Sequence, residues 1–163
     1  MKLRGSKSYP DLVKIFDNEN KVKDERYPDE PDRDSWPRHR INEANLQFGE
    51  WGEYELSHAE LLNVRLHWNR DFGIPEDGMT AVDAIRLTSV RDWIAEGKVK
   101  DLPGDSHIWL AVSPLKSGPV EHQRLKGYEG HIVVLDGIHR IVAWATEGKE
   151  PVLAFIAGKA EIT

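Results

Sequence analysis

The 163-residue chain contains no cysteine and only two methionines. Without cysteine, disulfide staples, thiolate zinc sites and thiol nucleophiles are excluded together. No apolar run approaches the roughly 20 residues that span a bilayer. The basic start Met1-Lys2-Leu3-Arg4-Gly5-Ser6-Lys7 is not followed by the apolar core of a signal peptide. A cytoplasmic protein with no membrane partner is therefore expected. Positive charge is also in deficit: 22 Lys and Arg against 28 Asp and Glu leave a net charge of -6. This argues against long nucleic acid held mainly by counterion release, although a local basic patch is compatible with it. There is no internal repeat and no low-complexity segment. What is present in quantity is tryptophan, six residues, each of which needs apolar walls and a partner for its indole N–H.

The length suits a chain that closes its own core, and the patterning is that of an α+β protein: a small mixed sheet packed with helices. Residues 1–51 and 52–163 differ in character. In the first part, Ser8 caps a short helix carrying Leu12, Val13, Ile15 and Phe16. Lys21 to Arg40, dense in charge and interrupted by Pro28, Pro31 and Pro37, reads as an extended arm. Trp36, Arg38, His39 and Arg40 would make it a lid if it is more than a solvated surface segment.

The second part reads as a domain. Glu53-Tyr54-Glu55-Leu56 alternates as a half-buried strand, and Ser57 with Glu60 forms a capping box opening a helix to about Leu66. Thr80 and Asp83 start another helix, with Val82, Ile85, Val90, Trp93 and Ile94 as its stripe and Gly97 as its stop. Strands are expected at His107–Val112, His131–Leu135 and Pro151–Ala157, the second apolar enough to be covered on both faces. Leu115 to Gly130 reads as a loop. Between the last two strands, Ile138 to Glu147 is a helix stopped by Gly148.

The chemistry concentrates where the second of these strands meets that helix, in Leu135-Asp136-Gly137-Ile138-His139-Arg140. A strand breaking at Asp-Gly into a helix brings backbone N–H groups and the positive end of the helix dipole to one point, which attracts phosphate. Gly137 admits an anion close to the backbone. His139 and Arg140 add donors, Arg140 as a planar fork. Asp136 stands where it could hold a divalent metal or accept a proton. Asp-Gly is equally a common turn, and an Asp before a helix a common cap.

The order of strand, Asp-Gly-x-His-Arg, helix, glycine, proline and strand from Val133 to Ile156 resembles the ParB/sulfiredoxin superfamily. The elements from Gly52 onward are similar to the upstream half of that fold, and residues 1–51 have no counterpart in it. Sulfiredoxins carry a catalytic Cys where Ile138 stands, so sulfinic acid reduction is excluded. Partitioning ParB proteins carry Gly-Glu-Arg-Arg at this turn and a helix-turn-helix domain after it. The free-serine kinases of the fold carry Asp-Gly-His-His-Arg, which Asp136 to Arg140 matches except at Ile138.

That resemblance implies a nucleotide-dependent phosphotransferase or nucleotide hydrolase acting on a small hydroxylated substrate. Its cofactors would be a nucleoside di- or triphosphate, ATP or ADP, and Mg²⁺ held by Asp136. Gly137, Ile138, His139 and Arg140 would cradle the phosphate, with Asp136 and His139 catalytic. For the upstream acidic base the candidates are Asp71, with Arg70 beside it as a nucleotide contact, and behind it Glu60; Trp68 is placed to stack on a base. A ParB-like nuclease and a non-catalytic nucleotide-binding module are the alternatives. His58 and His67 lie too far apart on one helix to form a metal pair.

Overall fold

A computed structural model describes residues 1–26, 35–99, 106–112 and 131–158. Its organising element is a mixed seven-stranded sheet, which with six helices among the described residues makes an α+β fold. The strands are β1 (Lys2–Lys7), β2 (Trp51–Leu56), β3 (Arg65–Leu66), β4 (Met79–Thr80), β5 (Ile108–Ala111), β6 (Val133–Asp136) and β7 (Val152–Ala157). They lie in the order β1-β2-β7-β5-β6-β3-β4. The pairs β5–β7 and β3–β6 are parallel and the rest antiparallel.

Strand alternation assigns the two faces. Trp51, Trp109, Ala111, Val133, Leu135, Phe155 and Ala157 form one buried cluster, and Tyr54, Leu56, Ile108, Leu110, Val134, Ala154 and Ile156 belong to the other. Successive strand residues point to opposite faces, so a strand buried on both sides reads as a continuous apolar run. The Val133–Leu135 run meets that expectation, all three residues being fully buried.

The first face is covered by α1 (Tyr9–Arg26) and α2 (Ser35–Phe48). Leu12 and Phe16 of α1 and Ile41 and Ala44 of α2 complete its core. Tyr9 bonds Asn42 while Arg38 pairs with Asp17, so the two helices run antiparallel. The extended arm expected from Lys21 to Arg40 is thus replaced by helix over 21–26 and 35–40; residues 27–34 lie outside the described residues. Pro37 is no obstacle, because in the first turn of α2 its missing N–H has no intrahelical partner to lose. Nor does a break separate 1–51 from the rest, since β1 pairs with β2 along its length, from Lys2 opposite Glu55 to Lys7 opposite Trp51.

The second face carries α3 (His58–Leu62), α4 (Ala81–Ala84), α5 (Thr88–Ala95) and α6 (Ile138–Glu147). The capping box of Ser57 and Glu60 opens α3 as expected. The helix stops early, because Arg65 and Leu66 leave it to pair with β4 and β6. His67 therefore follows β3 and does not share a helix with His58. The single helix expected from Thr80 to Gly97 is two: Thr80 caps α4, the chain turns at Ile85–Leu87, and α5 restarts at Thr88. Thr88 and Ser89 favour such a restart, since their hydroxyls compete for backbone bonds in a helix interior. The loop expected over 115–130 lies outside the described residues.

Candidate functional site

Asp136 is the last residue of β6 and Ile138 the first of α6, leaving Gly137 alone to turn the chain. It does so at φ +112°, a region that L side chains rarely adopt. A Cβ there would lie 3.0 Å from Ile108 Cγ2 and 3.3 Å from Arg140 Nη2. Glycine is required at this position both by conformation and by space.

The tight turn brings Arg140, one helical turn into α6, back over the strand end. Its Nη2 donates to Asp136 Oδ2 at 3.2 Å; its Nη1 donates to the His107 carbonyl and, at 3.4 Å, to Glu19 Oε2. Arg140 as a whole is 2% exposed. Lys23 of α1 reaches the same Asp136 Oδ2 at 3.2 Å. Arg40 of α2 is buried too, its Nη1 donating to the Leu135 carbonyl at 2.9 Å. Burial alone would push the Asp136 carboxyl up, but Lys23, Arg140 and Arg40 outweigh it and bring the pKa from 3.8 to about 2. Asp136 is therefore a fixed anion at neutral pH. Its geometry suits it to orient cations.

Glu19 extends the cluster. Its Oε2 also accepts from Trp109 Nε1 at 3.0 Å, and its Oε1 from the His107 amide at 3.4 Å. The His107 ring stacks on Phe155, centroids 4.0 Å apart, and its Nε2 meets Glu53 Oε2 at 2.7 Å. Beside Glu19 on α1, Asn20 is 7% exposed, and among the described residues neither its Nδ2 nor its Oδ1 has a hydrogen-bond partner. Among the described residues, the strand end gathers the cations Lys23, Arg40 and Arg140 and the carboxylates of Asp136 and Glu19.

The cluster, with α1 and α2 that complete it, spans both parts of the chain, and so does a family model that the chain matches. That model, described as a family of unknown function (DUF6309), matches residues 1–162. The chain belongs to the DUF6309 family. No curated protein and no solved structure matches it. The DUF6309 match takes in Glu19, Lys23 and Arg40 along with the turn at Asp136–Arg140, so all parts of the cluster lie within the family's extent.

In this DUF6309 chain the expected site residues separate into three places. Asp136, Gly137, Ile138 and Arg140 stand together at the strand end. His139 packs elsewhere, against Phe72 at 4.6 Å and Trp93 at 6.1 Å between ring centroids. Arg70 and Asp71 are exposed at the tip of the turn closed by the Asn69–Ile74 bridge; that turn meets α6 through Phe72. Glu60 is committed to the capping box and to the Met1 ammonium, which with the Ser57 bonds outweigh burial and hold its carboxyl below the usual range. Trp68, 46% exposed, is next to the same turn.

The residues missed were Glu19, Asn20, Lys23, His107 and Trp109. One signal could have found the first three. The apolar spacing Leu12, Phe16 continues at the same interval to Asn20, and Glu19 and Lys23 stand four apart, which extends the helix past Phe16.

Metal at Asp136 fits poorly. Lys23 and Arg140 both point at one of its oxygens, and a divalent ion would have to displace them against like-charge repulsion. The surroundings suit an anion.

Proposed function

We propose that this chain binds a phosphate-bearing small molecule, a nucleotide first of all, at the junction of β6 and α6, and that it belongs to the ParB/sulfiredoxin-like folds. The activity proposed is phosphotransfer or nucleotide hydrolysis on a small hydroxylated substrate. One observation carries the reading: Lys23, Arg40 and Arg140, from three different helices, converge on the end of β6 beside the N-terminus of α6. Phosphoryl groups are handled mostly by positioning and charge compensation, which such a cluster can supply. Asp136 would hold the cations in place. Any Mg²⁺ would arrive with the nucleotide.

A second reading has its own observation. Arg140 already donates to Asp136, Glu19 and the His107 carbonyl, as a clasp fastening α1 to α6 would. One experiment separates the two. Thermal shift with ATP, ADP and CTP, each with and without Mg²⁺, should show about 2.7 kcal/mol of added stability at a hundredfold excess over the dissociation constant. The shift should be lost in Lys23→Met. A protein stabilised by none of them is a clasp, and one that instead nicks plasmid DNA is a nuclease; either result overturns the proposal.

A further inference from the structure

Glu19 reaches the junction from α1, outside the turn, and its carboxylate is held as a ligand would be. Three donors surround it: the indole N–H of Trp109 at 3.0 Å, the backbone N–H of His107 at 3.4 Å and the Arg140 guanidinium at 3.4 Å. Trp109 is fully buried and Arg140 is 2% exposed, so two of the donors are set in place by packing on both faces of the sheet. Donors fixed in this manner around an oxygen pair form an oxyanion slot whichever carboxylate or phosphate fills it. On the same helix, Asn20 is buried with both ends of its amide unpartnered among the described residues, which marks further polar capacity next to Glu19 in the helix.

We infer that Trp109, His107 and Arg140 form an oxyanion subsite, and that Glu19 is its built-in occupant. A phosphate or carboxylate ligand enters by exchange with the Glu19 carboxylate, and α1 controls access by carrying it. The inference rests on the phosphate-binding reading for its biological use, but the slot itself does not.

Removing the occupant tests this. Glu19→Ala leaves a carboxylate-sized space lined by the three donors, and inorganic phosphate or acetate should fill it saturably. The expected result is a dissociation constant for phosphate at least tenfold below that of the wild type by calorimetry. The ¹H–¹⁵N indole resonance of Trp109 should move on titration. Glu19→Gln, which keeps an acceptor oxygen without the charge, serves if the alanine variant does not fold, and should also bind phosphate more tightly than the wild type.

Folded Glu19 variants that bind phosphate no better than the wild type overturn the inference. So does a titration that leaves the Trp109 indole unmoved. Nucleotide binding by the wild type is scored separately. If it occurs while the variants gain nothing, the subsite is wrong and the functional reading stands. If the variants bind phosphate and no nucleotide binds either protein, the subsite stands and the nucleotide reading falls.

Discussion

Asp136 sets the charge balance of the junction, and its ionisation links that junction to stability. A carboxyl lowered from 3.8 to about 2 contributes on the order of 2 kcal/mol at neutral pH. The folded value lies below the unfolded one, so the contribution is complete above about pH 4 and is lost as pH falls through about 2. Asp136→Asn should cost about 3 kcal/mol at pH 7, since it also leaves Lys23, Arg40 and Arg140 less compensated. Urea unfolding at about pH 7, 4 and 2.5 should show the gap from the wild type closing as the acid is protonated. A gap as large at the lowest pH as at neutrality would remove the carboxylate's charge from the account. Asp136, Gly137 and Arg140 could be singled out in advance because they are contiguous and their spacing defines a turn. Lys23 lies 113 positions from Asp136 and Glu19 121 from Arg140, so only tertiary packing reveals those pairs.

At the scale of elements, the junction depends on a one-residue connection between strand and helix. Gly137→Ala should cost about 2 kcal/mol or more, combining the left-handed penalty of an L residue with the crowding against Ile108 and Arg140. Gly97 has φ +68°, but a Cβ there would meet no atom of the described residues within 4 Å, so Gly97→Ala should cost only about 1 kcal/mol. Chemical denaturation of the two variants side by side isolates the crowding, and equal losses would show that packing at the junction contributes nothing. The elements around it were legible where periodicity is strong. The run Ile132–Leu135, the apolar stripe of α6 and the capping box at Ser57 all announce themselves in sequence. β1 was not legible, because Lys2–Lys7 is charged and mostly exposed, and its pairing with β2 supplies the strand character that composition withholds. The length of α1 was hidden for a related reason: beyond Phe16 its buried face is continued by the polar Asn20.

For the whole molecule, the first 51 residues act as a layer of the structure. Leu12 and Phe16 are buried to 2% exposure or less, and Phe16 meets Trp109 edge-on with centroids 5.6 Å apart. A fragment of residues 52–163 would uncover Trp109, Val133, Leu135 and Phe155 together, each large apolar side chain being worth roughly 1.5–3 kcal/mol on burial. That fragment should lack near-UV circular dichroism and should associate on gel filtration. A monomeric fragment with native spectra would show that α1 and α2 are accessories. The strand order carries one more consequence. β7 stands between β2 and β5, so among the described strands it alone ties the β1–β2 ribbon to the remainder of the sheet. A nascent chain on the ribosome cannot join those two portions until Val152–Ala157 has left the exit tunnel, and until then two raw sheet edges wait open to the crowded cell.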